Sequence, residues 1–527
     1  MTFLTRNDGR SAGLAAFIFV ALTLILSPLT AQTNTAPVLE PLPSLTVTTD
    51  APTLSLPENA HPIPHAAPSP DGRPHWPVLV ALISFACVGG ILLFQSGLTR
   101  AKNCAHSATL LLVGIMFGLT GYWMGGFAVQ TGGVGDAHAA LSEAIPHASR
   151  NALDHELGFL FNGHHFGLMG SSGFFLTIDP SELESIAEVF LIQVALVALA
   201  IATALGGALE RGKIAAFGIF AFLIGSLIYP LLANWVWGGG WLAELGREFG
   251  LGHGFVDFAG AGVVHATAGT LALVIAIVLG PRLGRFDSGK PARLIPGHHL
   301  PFVVLGVLVL MVARTAGNVV ASGDIVSATP LAGLAGANML LAGMAGTVTA
   351  YFLAVSQGRR PEPPRLGRGL MAGIVALCAC SALVDPWAAF AIGGISAVLV
   401  QVSAEFLERK RIDDPVSAAM INGMGGLWGL LATGLFANGA AGSGLNGVEG
   451  GVRGLFFGGG WHQLAAQAIG AASGFVIVFG LGYVSLVLVH KIMGLRVSPA
   501  DEMAGLDAPQ TGALGYQGDI DLEEESR

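Results

Sequence analysis

What most constrains this chain is a succession of apolar segments, each about twenty residues long, running from His75 almost to the C-terminus. Eleven can be marked, near residues 77–97, 107–129, 186–207, 213–235, 255–280, 300–322, 330–355, 369–386, 388–406, 416–440 and 464–489. Each matches the ~20 residues of helix that span ~30 Å of hydrocarbon. A backbone in hydrocarbon has no water to bond, so it must satisfy itself within a helix or a closed barrel. Segments of this length select helices. Only 11% of the residues are charged, against about 25% in a globular domain, and the 75 glycines also fit transmembrane helices. The expected fold is therefore an all-α polytopic membrane protein. With a net charge of −9 there is no basic surface for nucleic acid.

The flanks divide the chain further. Residues 1–31 have the form of an export signal, with Arg6 and Arg10 ahead of the apolar run Leu14 to Leu26, then Pro28 and a small residue at Ala31. The alternative is an uncleaved anchor helix. Residues 32–75 are rich in Pro, Thr and Ala and lack a helical period, which fits an extracytoplasmic linker. The membrane domain is expected over 76–496 and a cytoplasmic tail over 497–527, ending in the acidic stretch "DIDLEEES".

Lysine and arginine crowd one alternate set of loops, from Arg100 and Lys102 through Arg211, Lys213, Arg282, Arg285, Lys290 and Arg293. The set continues with Arg359, Arg360, Arg365, Arg368, Arg409, Lys410 and Arg411, and is joined by Lys491 and Arg496. The other set holds only Arg150, Arg247 and Arg453, with Arg73 ahead of the first segment. The positive-inside rule then puts the mature N-terminus outside a cell membrane and the C-terminus in the cytoplasm. Cys87, Cys104, Cys378 and Cys380 have no zinc-site spacing and read as small core residues. In the long outer loop, His138, His147, His155, His164 and His165 are spaced too irregularly to indicate a metal. No metal, cofactor or enzymatic chemistry is expected.

Ionisable residues inside a span are costly and mark function. The fifth segment contains "DFAGAGVVHATAG", in which Asp257 is followed eight residues later by His265 amid Ala, Gly and Val. Asp257 suits either a helix cap or direct ligand contact. Read as continuous helix, eight residues are ~12 Å, which sets His265 well inside the membrane. Small neighbours would let other backbones approach closely there. A satisfied core histidine is the bland alternative. The tenth segment repeats the figure in "DDPVSAAMINGMGG", with Asp414 at its start and Asn422 eight residues on. Matching patterns in segments five and ten predict two five-helix halves, the second inverted, plus a final helix. That plan places a substrate path at the interface of the halves.

These motifs closely resemble the ammonium transporter (Amt/Mep/Rh) family. "VDFAGAGVVHATAG" with "LGPRLGRF" is similar to its fifth-helix signature, and "SGLTRAKN" (96–103), "GGALERGK" (206–213) and "NWVWGGGWL" (234–242) to earlier segments. "DDPVSAAMINGMGGLWGLLATGLFA" resembles the tenth helix, and "GLRVSPADEMAGLD" (494–507) the cytoplasmic tail. The resemblance implies a homotrimer in the lipid bilayer with a narrow pore through each subunit. It implies recruitment of ammonium beside the aromatic residue matching Trp237, assisted by the aspartate matching Asp257. A cation between an indole face and a carboxylate can shed water cheaply. Deeper in, a dry wall disfavours the charged form, so deprotonation to ammonia is plausible. The family's paired pore imidazoles are thought to carry the proton. A PII-type regulatory protein at the cytoplasmic face is a further implied partner.

The sequence departs from that pattern at several pore positions. His265 matches the first pore histidine, but Asn422 stands at the second and cannot exchange a proton near neutral pH. Leu196 and Gly317 align with the phenylalanine gate, with Asn318 retained beside the latter. Arg314 is an unexpected charge on the sixth segment, where pairing with a carboxylate and snorkelling to an interface are both open. The expectation ordered first is conduction of ammonium or ammonia with altered proton coupling. The second is a non-transporting sensor or regulatory subunit, and the third a channel for another small neutral molecule.

Overall fold

The computed structural model describes residues 76–516 apart from 132–152, 154, 162, 179, 288–289 and 326–330. The export signal, the linker, the acidic stretch 519–526, His138, His147, Arg73 and Arg150 lie outside the described residues.

Helix α1 is Trp76–Leu98. Helix α2 runs Cys104–Gly121, passes a π-helical turn Tyr122–Gly126 and ends Phe127–Thr131. An antiparallel hairpin, β1 Glu156–Phe161 and β2 His164–Gly170, follows in the loop after α2. It carries His164 and His165 and packs on the fourth helix through Trp235, whose indole N–H donates to the Leu168 carbonyl at 2.9 Å. Helix α3 is Pro180–Leu205. Helix α4 comprises Ile214–Leu223, a π turn Ile224–Ile228 and Tyr229–Trp237. Helix α5 opens with a π turn Ala261–Ala266 and continues Thr267–Leu279.

The second half has the same order: α6 Leu300–Ile325, α7 Ala332–Ser356, α8 Pro363–Leu377 and α9 Pro386–Arg409. Helix α10 opens with a π turn Ala419–Met424 and continues Gly425–Phe436, and α11 is His462–Met493. The all-α polytopic fold is as expected, the hairpin excepted. Among the described residues ten helices are long and apolar enough to cross a membrane. The eleventh, α8, has 15 residues and gives way to turns from Cys378.

Two boundaries differ from the sequence reading for a physical reason. Segments five and ten are helical only from Ala261 and Ala419, because the residues before each π turn bond to other parts of the chain rather than within a helix. Small residues set the packing elsewhere. A methyl group at Gly346 of α7 would stand 2.0 Å from the Gly369 carbonyl oxygen of α8, so the close crossing of those helices requires glycine.

At one end the basic loops converge on a buried ion network. Glu210 accepts from the Arg100 backbone N–H and Nε, and from Asn103 Nδ2, each at 2.8 Å, and pairs with Arg282 through its other oxygen. Arg282 in turn forks onto Asp413 at 2.8 and 3.0 Å. Arg211 donates to the Asp413 carbonyl at 2.9 Å. The tail joins this assembly, since Glu502 bonds both Arg496 and the Leu283 N–H, and Asp507 accepts from the His106 N–H. Residues 497–516 are thus packed against the bundle.

Burial opposes ionisation of Glu210, but the charges of Arg282 and Arg100 outweigh it and hold its carboxyl down at about 2. Asp413 is likewise buried, yet the hydrogen bonds and charge of Arg282, with Arg211, bring it to about 2. Carboxyls depressed in the folded state stabilise it above their ordinary values near 4, and that contribution is lost as pH falls toward 2. Thermal unfolding in detergent is expected to be insensitive to this network above about pH 5 and to drop steeply below pH 4. Glu210→Gln, leaving Arg282 and Arg100 short of charge, is expected to cost about 3–5 kcal/mol at neutral pH.

Candidate functional site

The site is built where α5 meets α10. Each helix is preceded by a non-helical lead-in, and in each a carboxylate takes the place of the missing turn. Asp257 Oδ2 accepts from the N–H groups of Gly262 and Val263 at 2.9 and 2.8 Å. Asp414 accepts from Ala418, Ala419 and Met420 at 2.9, 2.9 and 3.2 Å. A helix start leaves its first N–H groups without partners, and a carboxylate there also opposes the dipole. The 12 Å rise expected between Asp257 and His265 does not apply, because Asp257 lies outside the helix and reaches ahead into a turn that is π-wound. The repeat read from the sequence is therefore a repeat of a capping device. Asp257 is a cap, and its second oxygen, Oδ1, is buried with no partner.

Each π turn carries one polar side chain inward. His265 and Asn422, each 2% exposed, meet with Nδ1 of the ring 2.8 Å from Oδ1 of the amide. The amide's orientation follows from its other end, where Nδ2 donates to the Ala418 carbonyl at 3.1 Å. Its oxygen therefore faces the imidazole, and His265 must carry its proton on Nδ1. Nε2 is then an acceptor, and it is buried without a partner. The helices approach this closely because of glycine: a methyl at Gly269 would lie 2.0 Å from the Gly423 nitrogen, and one at Gly426 2.3 Å from the Ala261 carbonyl oxygen.

Trp237 ends α4, half-buried, and donates its indole N–H to the Asp257 carbonyl at 2.8 Å. Its ring reaches over Gly260, whose φ of +95° and bare α-carbon admit it; a β-carbon there would be 3.2 Å from the indole. Tyr229, also on α4, is fully buried with an unpartnered hydroxyl. Leu196 lies half-buried on α3 against the main apolar core. Gly317 is on α6 facing Ser84, whose hydroxyl would be 3.3 Å from a methyl at that position. Asn318 does not meet His265. It is buried, donates to the Arg314 carbonyl and accepts from the Ser381 hydroxyl at 2.9 Å, tying α6 to the break after α8.

Arg314 fits neither sequence reading. It is 1% exposed, so it does not snorkel, and no ion pair joins it to a carboxylate among the described residues. Its Nη2 instead donates to the Ala259 carbonyl at 2.6 Å and lies 3.1 Å from Cys378 Sγ. The break after α8 frees backbone groups that the lead-in uses: Ala259 N–H donates to the Cys378 carbonyl at 2.8 Å, and Phe258 N–H to that of Ala379 at 3.2 Å.

Several residues that position the site escaped the sequence reading. Gln463 and Gln467 of α11 bond the backbone of residues 253–256, and Asn446 donates to the carbonyls of His253 and Phe255. The signal available was two glutamines four apart in an apolar helix, a spacing that puts both on one face.

Residues 75–516 match the family model described as Ammonium Transporter Family. Ammonium transporter Amt2 of Archaeoglobus fulgidus is 32% identical over 454 residues, covering 85% of this chain and 89% of its own. Ammonium transporter 1 member 3 of Solanum lycopersicum is 31% identical over 457 residues, covering 83% and 91%. A solved structure described as Sensor Amt Protein superposes with a TM-score of 0.68 at 27% identity, over 83% of this chain and 98% of that one. Mep2 of Saccharomyces cerevisiae superposes at 0.67 with 24% identity, over 85% and 91%, a likeness of fold alone.

The two duties open to Asp257 can be separated. Asp257→Asn keeps an oxygen for the Gly262 and Val263 N–H groups, so unfolding is expected within about 1 kcal/mol of the parent. Ammonium uptake, which would depend on the charge and on Oδ1, is expected to fall about tenfold or more. Equal uptake by the two proteins would leave Asp257 a cap only.

Proposed function

Because the chain belongs to the ammonium transporter family, a family of transporters and not of enzymes, we propose that it moves ammonium or ammonia across a membrane through a path within each subunit. The path begins at Trp237 and Asp257 and passes His265 and Asn422, with Leu196 and Gly317 where the resemblance places a gate. What supports this reading most is the buried contact of His265 with Asn422 at the crossing of two capped π turns, with the imidazole's Nε2 left as an unmet acceptor. Buried polar atoms are normally paired, and the unpaired ones on Asp257, Tyr229 and His265 are open to a small permeant.

The outer pair suits a small cation. The Trp237 ring and the free Asp257 oxygen together offer a π face and negative charge, which replace part of the lost hydration. At His265 the chemistry changes. Asn422 accepts the Nδ1 proton but cannot carry it onward, because an amide does not titrate near neutral pH. The imidazole is held in one tautomer whose Nε2 accepts a hydrogen bond from an N–H of ammonia. Proton passage along a histidine pair is thereby replaced by a fixed acceptor.

The subunits assemble as a homotrimer in a cell membrane on this reading, with the N-terminus outside. The end holding Glu210, Arg282, Asp413 and the tail then faces the cytoplasm, where a PII-type protein would dock. A second reading, an ammonium sensor without transport, draws on the similarity to the structure described as Sensor Amt Protein and on the charge of Arg314.

Reconstitution in vesicles tests these readings. An ammonium gradient is expected to change internal pH through protein-dependent flux. Asn422→Leu, which frees the tautomer and leaves a buried N–H unpaired at a cost of about 1–3 kcal/mol, should slow that flux about tenfold or more. Ammonium binding with no flux in the parent protein would favour the sensor.

A further inference from the structure

We propose that Arg314 is a specificity-determining residue, a fixed positive charge that bars the ammonium ion from the interior of the path and leaves neutral ammonia as the species that crosses. The inference rests on the path read above and concerns what may pass along it.

Three observations carry it. The guanidinium is buried on α6 and is held by Ala259, which lies in the lead-in joining Asp257 to His265. It therefore stands beside the segment that connects the outer site to the inner one, within electrostatic reach of Asp257, Tyr229 and His265. Second, its charge is not cancelled by a contact: its neighbours are a carbonyl and a thiol, no carboxylate pairs with it among the described residues, and Nε is buried without a partner. A buried charge is normally paired, so an unpaired one at this place is a feature to be explained. Third, the arginine is held in position. Asn318, one turn on, donates to its carbonyl and is itself gripped by Ser381.

The physical consequence follows from charge alone. A guanidinium stays protonated at any pH a protein survives. In a dry interior a like charge is poorly screened, so a second cation pays both its own desolvation and the repulsion of Arg314. Ammonia, with no net charge, meets neither barrier. Positive residues exclude cations from other narrow pores by the same means. The Asp257 carboxylate lies close enough to offset part of the field, which places the strongest discrimination past the outer site rather than at it.

The test uses the full chain in proteoliposomes, with internal pH recorded for flux and capacitive current recorded on a supported membrane after an ammonium jump. Two variants separate charge from shape: Arg314→Lys keeps the charge, and Arg314→Gln keeps donors for the Ala259 carbonyl without it. The expected result is flux without ammonium-dependent current in the parent and in Arg314→Lys, and a current about tenfold or more above that background in Arg314→Gln. A parent protein that shows both flux and a stoichiometric ammonium current overturns the inference while the transport reading stands, and this needs no variant to fold. Equal absence of current in a folded, flux-competent Arg314→Gln also overturns it. If neither flux nor current appears in any of the three, the transport reading itself fails and the inference falls with it.

Discussion

Two stretches of unwound backbone lie within an apolar bundle, and the need to satisfy their N–H groups organises everything around them. In hydrocarbon an unmet amide is costly, and irregular backbone survives only where protein groups complete it. Asp257 and Asp414 do so at the head of α5 and α10, each reaching five and six residues ahead into a π turn. The π winding turns one polar side chain per helix inward, and π turns often occur at functional sites. His265 and Asn422 are those side chains.

The lead-ins are also held from the opposite half of the molecule. That of α5 bonds to the broken end of α8 through Cys378 and Ala379, and that of α10 is gripped by Arg211 just beyond α3. Helices three and eight occupy equivalent places in the two halves, so each half anchors the unwound segment of the other. The exchange is not symmetrical in chemistry. The α10 side is an ion network of Glu210, Arg282 and Asp413, fitted to a face where charge is tolerated. The α5 side is a set of backbone bonds and amides from Gln463, Gln467 and Asn446, with Arg314 as the one charged group among the bonds described for it.

That asymmetry leaves the centre with one imidazole, one amide and one guanidinium that makes no carboxylate contact among the described residues. The amide oxygen sets the tautomer of the imidazole, and the guanidinium is held on the Ala259 carbonyl of the α5 lead-in. Neither an amide nor a guanidinium exchanges a proton near neutral pH.

The sequence by itself determined the class of fold, the number of apolar segments and the inverted repeat, because hydrocarbon thickness and the matching Asp-to-polar spacings are written directly in residue order. It also marked Asp257, His265, Asn422 and Arg314, since a polar residue in an apolar run stands out without any structure, and the family resemblance marked Trp237. What those residues do to one another was decided only by tertiary structure. The Asp257 spacing read as continuous helix, because a π turn and a side-chain cap leave no local signature. Arg314 offered a choice between a carboxylate and an interface, and took the Ala259 carbonyl, a partner from another helix that no pattern names. Asn318 is tied to Ser381 for the same reason. Hydrogen bonds across 55 or 63 positions of chain depend on how helices cross, and those crossings are set by packing of small residues over the whole bundle.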